Sequence, residues 1–96
     1  MYCTFTLAGA SFRGANVKTI LAAQTDESIV RFVPEPDNRF DANAIKVIDN
    51  ATATFIGYVP AVQTAELHEM LALEPDLTGT VIQPDERYPV IEAVLV

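Results

Sequence analysis

Tryptophan is absent from this chain of 96 residues, and cysteine and histidine occur once each. One cysteine excludes an internal disulfide, and Cys3 with His68 cannot supply the four ligands of a structural zinc site. Cys3 stands between Tyr2 and Thr4 with no His or Lys beside it, so it reads as a small buried hydrophobe, not a reactive thiol. No apolar run approaches the ~20 residues of a membrane span, and no charged-then-apolar leader opens the chain. The expectation is a soluble, cytoplasmic protein with no membrane partner. Basic residues are scarce as well: six Lys and Arg face thirteen Asp and Glu, a formal charge of −7. Nucleic-acid affinity rests largely on cations displacing counterions from phosphates. That balance excludes bulk coating of a duplex and leaves only a short strand end held by a local basic patch.

Half of the residues are apolar, enough for one modest core at a length usual for one domain. Tyr2-Cys3-Thr4-Phe5-Thr6-Leu7 alternates strictly, which predicts a half-buried strand with Cys3, Phe5 and Leu7 inward. Gly9 and Gly14 bracket a turn carrying Ser11, Phe12 and Arg13, and Val17 to Ala23 has the spacing of a short helix. Ser28 to Val33 reads as a second strand, stopped by Pro34-Glu35-Pro36-Asp37-Asn38, the strongest turn chemistry in the chain. Ala44 to Ile48 and Thr54 to Val59 read as strands around a turn at Asp49-Asn50. Pro60 suits a first helical position, and Ala61 to Leu73 places Ala65, Leu67, Met70 and Leu71 on one apolar face. Two strands close the chain, Leu77 to Gln83 with a bend at Gly79, and Tyr88 to Val96, joined by a Pro84-containing loop. The aromatic residues are spread along the chain, as expected if every element feeds one core. Six short strands and two helices make a mainly β, α+β fold, a small barrel or strongly curved sheet.

Catalytic signals are thin. No glycine loop for phosphates, paired His spacing or elbow serine occurs, and His68 reads as a solvated helical side chain. Asp37, Asp41 and Asn43 do not make a calcium loop, because the required glycine and terminal glutamate are missing. The residues thus suggest a non-enzymatic binding module without metal or cofactor. One stretch is much denser in unusual residues than the rest: Glu35-Pro36-Asp37-Asn38-Arg39-Phe40-Asp41-Ala42-Asn43-Ala44-Ile45-Lys46-Val47, followed by Phe55-Ile56-Gly57-Tyr58-Val59-Pro60.

Those two segments, with Phe5-Thr6-Leu7-Ala8-Gly9 and Phe12 upstream, closely resemble the HIRAN domain family. The resemblance runs from about Phe5 to Leu95, so residues 1–96 are expected to form a single domain of that type. It implies a six-stranded barrel related to the oligonucleotide-binding barrel, with two helices. It also implies capture of the free 3′ hydroxyl end of a single DNA strand, a task that serves DNA repair and replication in larger helicases and translocases. By that resemblance Asp41 would read the hydroxyl, Phe12 and Tyr58 would contact bases or sugar, and Lys46 or Arg13 would meet phosphate. Each has a structural competitor. Asp41 can cap its own turn, Phe40 and Ile45 read as core, Asn43 as structural, Gly57 as a point of close backbone approach, and Tyr58 as half-buried packing.

The chain departs from the end-binding members. Ala10 and Ser11 stand where those carry a basic residue and a tyrosine, and Ala61-Val62-Gln63 lacks their lysine. On a −7 chain this favours a second reading, an acidic module that docks on a basic protein such as a nuclease or helicase.

Overall fold

The computed structural model describes residues 1–10 and 14–96. Alternation of apolar and polar residues builds strands β1 (Tyr2–Thr6), β2 (Ile29–Pro34), β3 (Ile45–Asp49), β4 (Thr54–Tyr58), β5 (Thr78–Gln83) and β6 (Val90–Val94). They form one antiparallel sheet in the order β1-β6-β5-β2-β3-β4. The sheet curls until its edges meet. Ala8, just past β1, exchanges two backbone hydrogen bonds with Tyr58 at the end of β4, 2.9 and 2.8 Å long. Gly57 makes that meeting feasible, because a Cβ there would stand 2.6 Å from the Ala8 carbonyl oxygen. The close approach expected at Gly57 is therefore present.

The inner face collects Cys3, Phe5, Leu7, Val30, Phe32, Ile45, Val47, Ile56, Val81, Ile91 and Ala93, all buried. Phe5 and Phe32 meet edge to face at 6.1 Å, a contact worth about 1 kcal/mol beyond its buried area. Gly79 lies opposite Val30 and Ala93, and a Cβ there would reach within 2.7 Å of the Phe32 ring. It is a seat for that ring and not the expected bend. The register irregularity of β5 falls between Val81 and Gln83.

Helix α1 (Ala15–Ala22) starts two residues earlier than the apolar spacing suggests and buries Val17 and Leu21. After Pro60 the chain makes a 3-10 turn, Ala61–Gln63, before helix α2 (Thr64–Leu73). Leu67, Met70 and Leu71 are buried as expected, but Ala65 is exposed and Thr64 takes the inner position. The angular step explains this: Thr64, Leu67 and Leu71 share one stripe, and the Thr64 hydroxyl donates to the Ala61 carbonyl, so it can be buried. No helix among the described residues is long and apolar enough to cross a membrane.

A candidate groove at the closing bridge

Where the sheet edges meet, a groove of about 690 Å³ opens between the β2–β3 loop, Ala8-Gly9 and the end of β4. Its lining includes Glu35, Asn38, Arg39, Phe40, Asp41 and Tyr58. The loop is built by side chains bonding its own backbone, the property that makes Asn and Asp turn formers. The Asn38 carbonyl oxygen accepts from the amides of Phe40 (2.9 Å) and Asp41 (3.0 Å). One oxygen of Asp41 accepts from the Asn43 amide at 2.8 Å. Asp41 is thus a turn cap, as its structural reading proposes. Only Oδ1 is engaged, and no hydrogen bond among the described residues involves Oδ2 of this half-buried side chain.

Glu35 anchors the other side of Asn38. Its Oε1 accepts from the Asn38 amide at 2.6 Å and from the Tyr58 hydroxyl at 2.9 Å, while Oε2 lies 3.6 Å from the Lys46 ammonium. The Asn38 N–H, then the Tyr58 O–H, then the Lys46 charge hold this carboxyl below the usual glutamate range, against the effect of its partial burial. Lys46 also sits 5.4 Å from the centre of the Phe55 ring, which meets Tyr58 edge to face at 5.1 Å.

The structure brings Asp41, Tyr58 and Lys46 to one end of the molecule. Phe12 and Arg13 lie outside the described residues. Phe40 corrects an expectation: it is 99% exposed on the groove rim, not core. Its neighbours explain why. The turn around Asn38 points its polar groups inward to the backbone and turns the ring out. The assumption that every aromatic feeds the core fails also at Tyr2, on the outward side of β1, and at Tyr88, both exposed, while Ile45 is core as expected. His68 is not merely solvated. Its Nε2 lies 2.9 Å from the Asn43 carbonyl, which can only accept, so the Nε2–H form donates and ties α2 to the loop. Glu35, Asn38 and Arg39 were inside the dense segment, but nothing in their order alone reveals that Glu35 reaches Tyr58 and Lys46.

A curled antiparallel sheet with an aromatic-rimmed groove carrying three carboxylates at its seam defines a small β domain. The family model of the HIRAN domain matches residues 2–96, and the chain belongs to that family, a family of binding domains with DNA-related roles. Two crystal structures agree on the fold. A Lactobacillus plantarum protein superposes with a TM-score of 0.77 at 20% identity, covering 94% of this chain and 89% of that one. The HIRAN domain of human HLTF gives 0.72 at 16% identity, covering 96% and 72%. No curated protein matches the sequence.

Proposed function

We propose that this protein binds the free 3′ hydroxyl end of a single DNA strand in the groove at the closing bridge, as a non-catalytic module of DNA repair or replication. The observation that carries the reading is Asp41: a lining carboxylate with one oxygen fixed to its own turn and the other facing no protein donor among the described residues. A terminal hydroxyl would donate to that oxygen. A continuing strand would present a phosphate, whose charge the carboxylate repels. The exposed Phe40 ring offers a stacking surface beside it, a contact typically worth about 1–3 kcal/mol per base. Tyr58 forms the adjoining wall, Arg39 is a cation on the lining, and Phe12 and Arg13 keep their assignment from the sequence.

Titration with a fluorescent single strand at low salt, ending in either a 3′ hydroxyl or a 3′ phosphate, tests this directly. The wild type should prefer the hydroxyl, and Asp41→Ala should remove the preference while the variant still unfolds cooperatively. Equal affinity for both ends would defeat the reading. A second reading, docking of a basic protein segment such as one from a helicase or nuclease, is favoured by one observation. Among the described residues, Glu35, Asp37 and Asp41 line the groove against Arg39 alone. Absence of binding to either strand, with capture of a basic peptide, would select it.

A further inference from the structure

Glu35 divides its two oxygens between two different tasks. Oε1 receives the Asn38 amide and the Tyr58 hydroxyl, and through Asn38 it fixes the amides of Phe40 and Asp41. Oε2 faces the Lys46 ammonium, in the one ion pair present among the described residues. Lys46 projects from β3 directly behind the loop, its charge shared between that carboxylate and the Phe55 ring. An incoming phosphate must therefore compete with a carboxylate already in place for the Lys46 ammonium.

We infer that Glu35 is the selectivity residue of this groove, holding Lys46 away from phosphate so that a strand is recognised by its hydroxyl end and not along its charged backbone. The inference rests on the end-binding reading and deepens it. A groove with a free lysine would bind any phosphate-bearing strand, and its counterion release would override the small difference between end groups. With the ammonium engaged, the lining carries three carboxylates against one guanidinium among the described residues, and a terminal phosphate is disfavoured.

The two tasks separate by substitution. Glu35→Gln keeps an acceptor oxygen for Tyr58 and Asn38 but releases Lys46. Its affinity for the 3′-phosphate strand should rise about fivefold, the scale of one exposed ion pair, and the hydroxyl preference should shrink. The slope of log affinity against log salt should steepen by about 0.7, the value of one new phosphate contact on a single strand. The double variant Glu35→Gln/Lys46→Gln should lose both gains. Glu35→Ala should lose affinity for both strands, because Asn38 and Tyr58 are released with Lys46. A Glu35→Gln protein with unchanged preference and salt slope overturns the inference.

Failure of the end-binding reading looks different. There the wild type fails to discriminate, or binds neither strand, and the role of Glu35 stands or falls on whether Glu35→Gln acquires salt-sensitive phosphate binding. Should Glu35→Gln fail to fold, Lys46→Met on the wild-type background decides the matter. A salt slope reduced by well under ~0.7 supports an already engaged lysine, and a full reduction of ~0.7 makes Lys46 a direct phosphate contact and overturns the assignment.

Discussion

An aspartate organises the turn on either side of β3, Asp41 in the loop before it and Asp49 at its end, and the two are used in opposite ways. At the far end Asp49 is 3% exposed, and both of its oxygens are occupied. Oδ1 accepts from the Gln24 amide at 3.1 Å, and Oδ2 accepts from the Thr52 amide and hydroxyl at 3.1 and 2.6 Å. The alternation of β3 puts Asp49 on the same face as Val47, where it pairs with the buried Val30 of β2. At the near end Asp41 is half-buried with one oxygen engaged. A carboxylate whose acceptor capacity is filled by its own protein is a structural part. One with capacity facing a groove is available to a ligand. Residue type is the same at both places, while burial and the number of donors around the carboxylate differ.

The sharpest way to break this contrast is Asp49→Ala. It would leave the Gln24 and Thr52 donors without their acceptor, and we expect a loss of about 3 kcal/mol, since each unsatisfied buried group costs roughly 1–3 kcal/mol. Urea unfolding would read it, and strand binding by the remaining folded protein should be unchanged. A stable Asp49→Ala protein would mean the buried turn contributes little.

Asn38→Ala sits between the two cases. It frees the Phe40 and Asp41 amides and releases Glu35 from one donor, on a loop open to water. Stability should fall by about 1 kcal/mol, and the preference for a hydroxyl end should drop with it. A stability loss with the preference intact would separate loop order from recognition.

Phe40→Ala should leave the urea midpoint where it is, because a ring 99% exposed contributes almost no buried area. Affinity for a single strand should weaken about tenfold, equivalent to ~1.4 kcal/mol. A clear fall in stability with no change in binding would return Phe40 to a structural role.

The smallest expected effect is on acid stability. Glu35 and Asp85 are both held below their ordinary values of 4.5 and 3.8, the first chiefly by the Asn38 amide, the second by the backbone N–H groups of Tyr88 and Arg87. A carboxyl lowered in the folded state adds stability that is fully present above its unfolded value and is lost as pH falls through the lower folded value. The loss should therefore begin near pH 4.5 and continue below pH 3.8, and Glu35→Gln should remove the first part of it. Asp85 is exposed and Glu35 only half-buried, so salt should flatten the dependence further. An unaltered acid profile in Glu35→Gln would show that its hydrogen bonds do not favour the charged form.

Much of this was legible in the order of residues. The alternation of Cys3, Phe5 and Leu7, the proline-rich stop after Val33 and the apolar face of α2 follow from local geometry, because side-chain period and turn chemistry act over a few residues. The turn role of Asp41 was legible for the same reason: its partner Asn43 is two residues away. The exposure of Phe40 is not legible in this way, because hydrophobicity states a preference for burial without supplying a place, and the loop holding it has none to offer.

By itself the sequence determined the strand and helix sites, the class of fold, and the segment from Glu35 to Val47 as the unusual part of the chain. Tertiary structure alone decided that Tyr58 and Lys46 both meet Glu35, that Gly79 seats Phe32, and that Ala8 closes against Tyr58 over a bare Gly57. These contacts depend on strand pairing and not on nearness in the sequence, and the closure of Ala8 against Tyr58 arises only when the curl of the sheet brings its edges together.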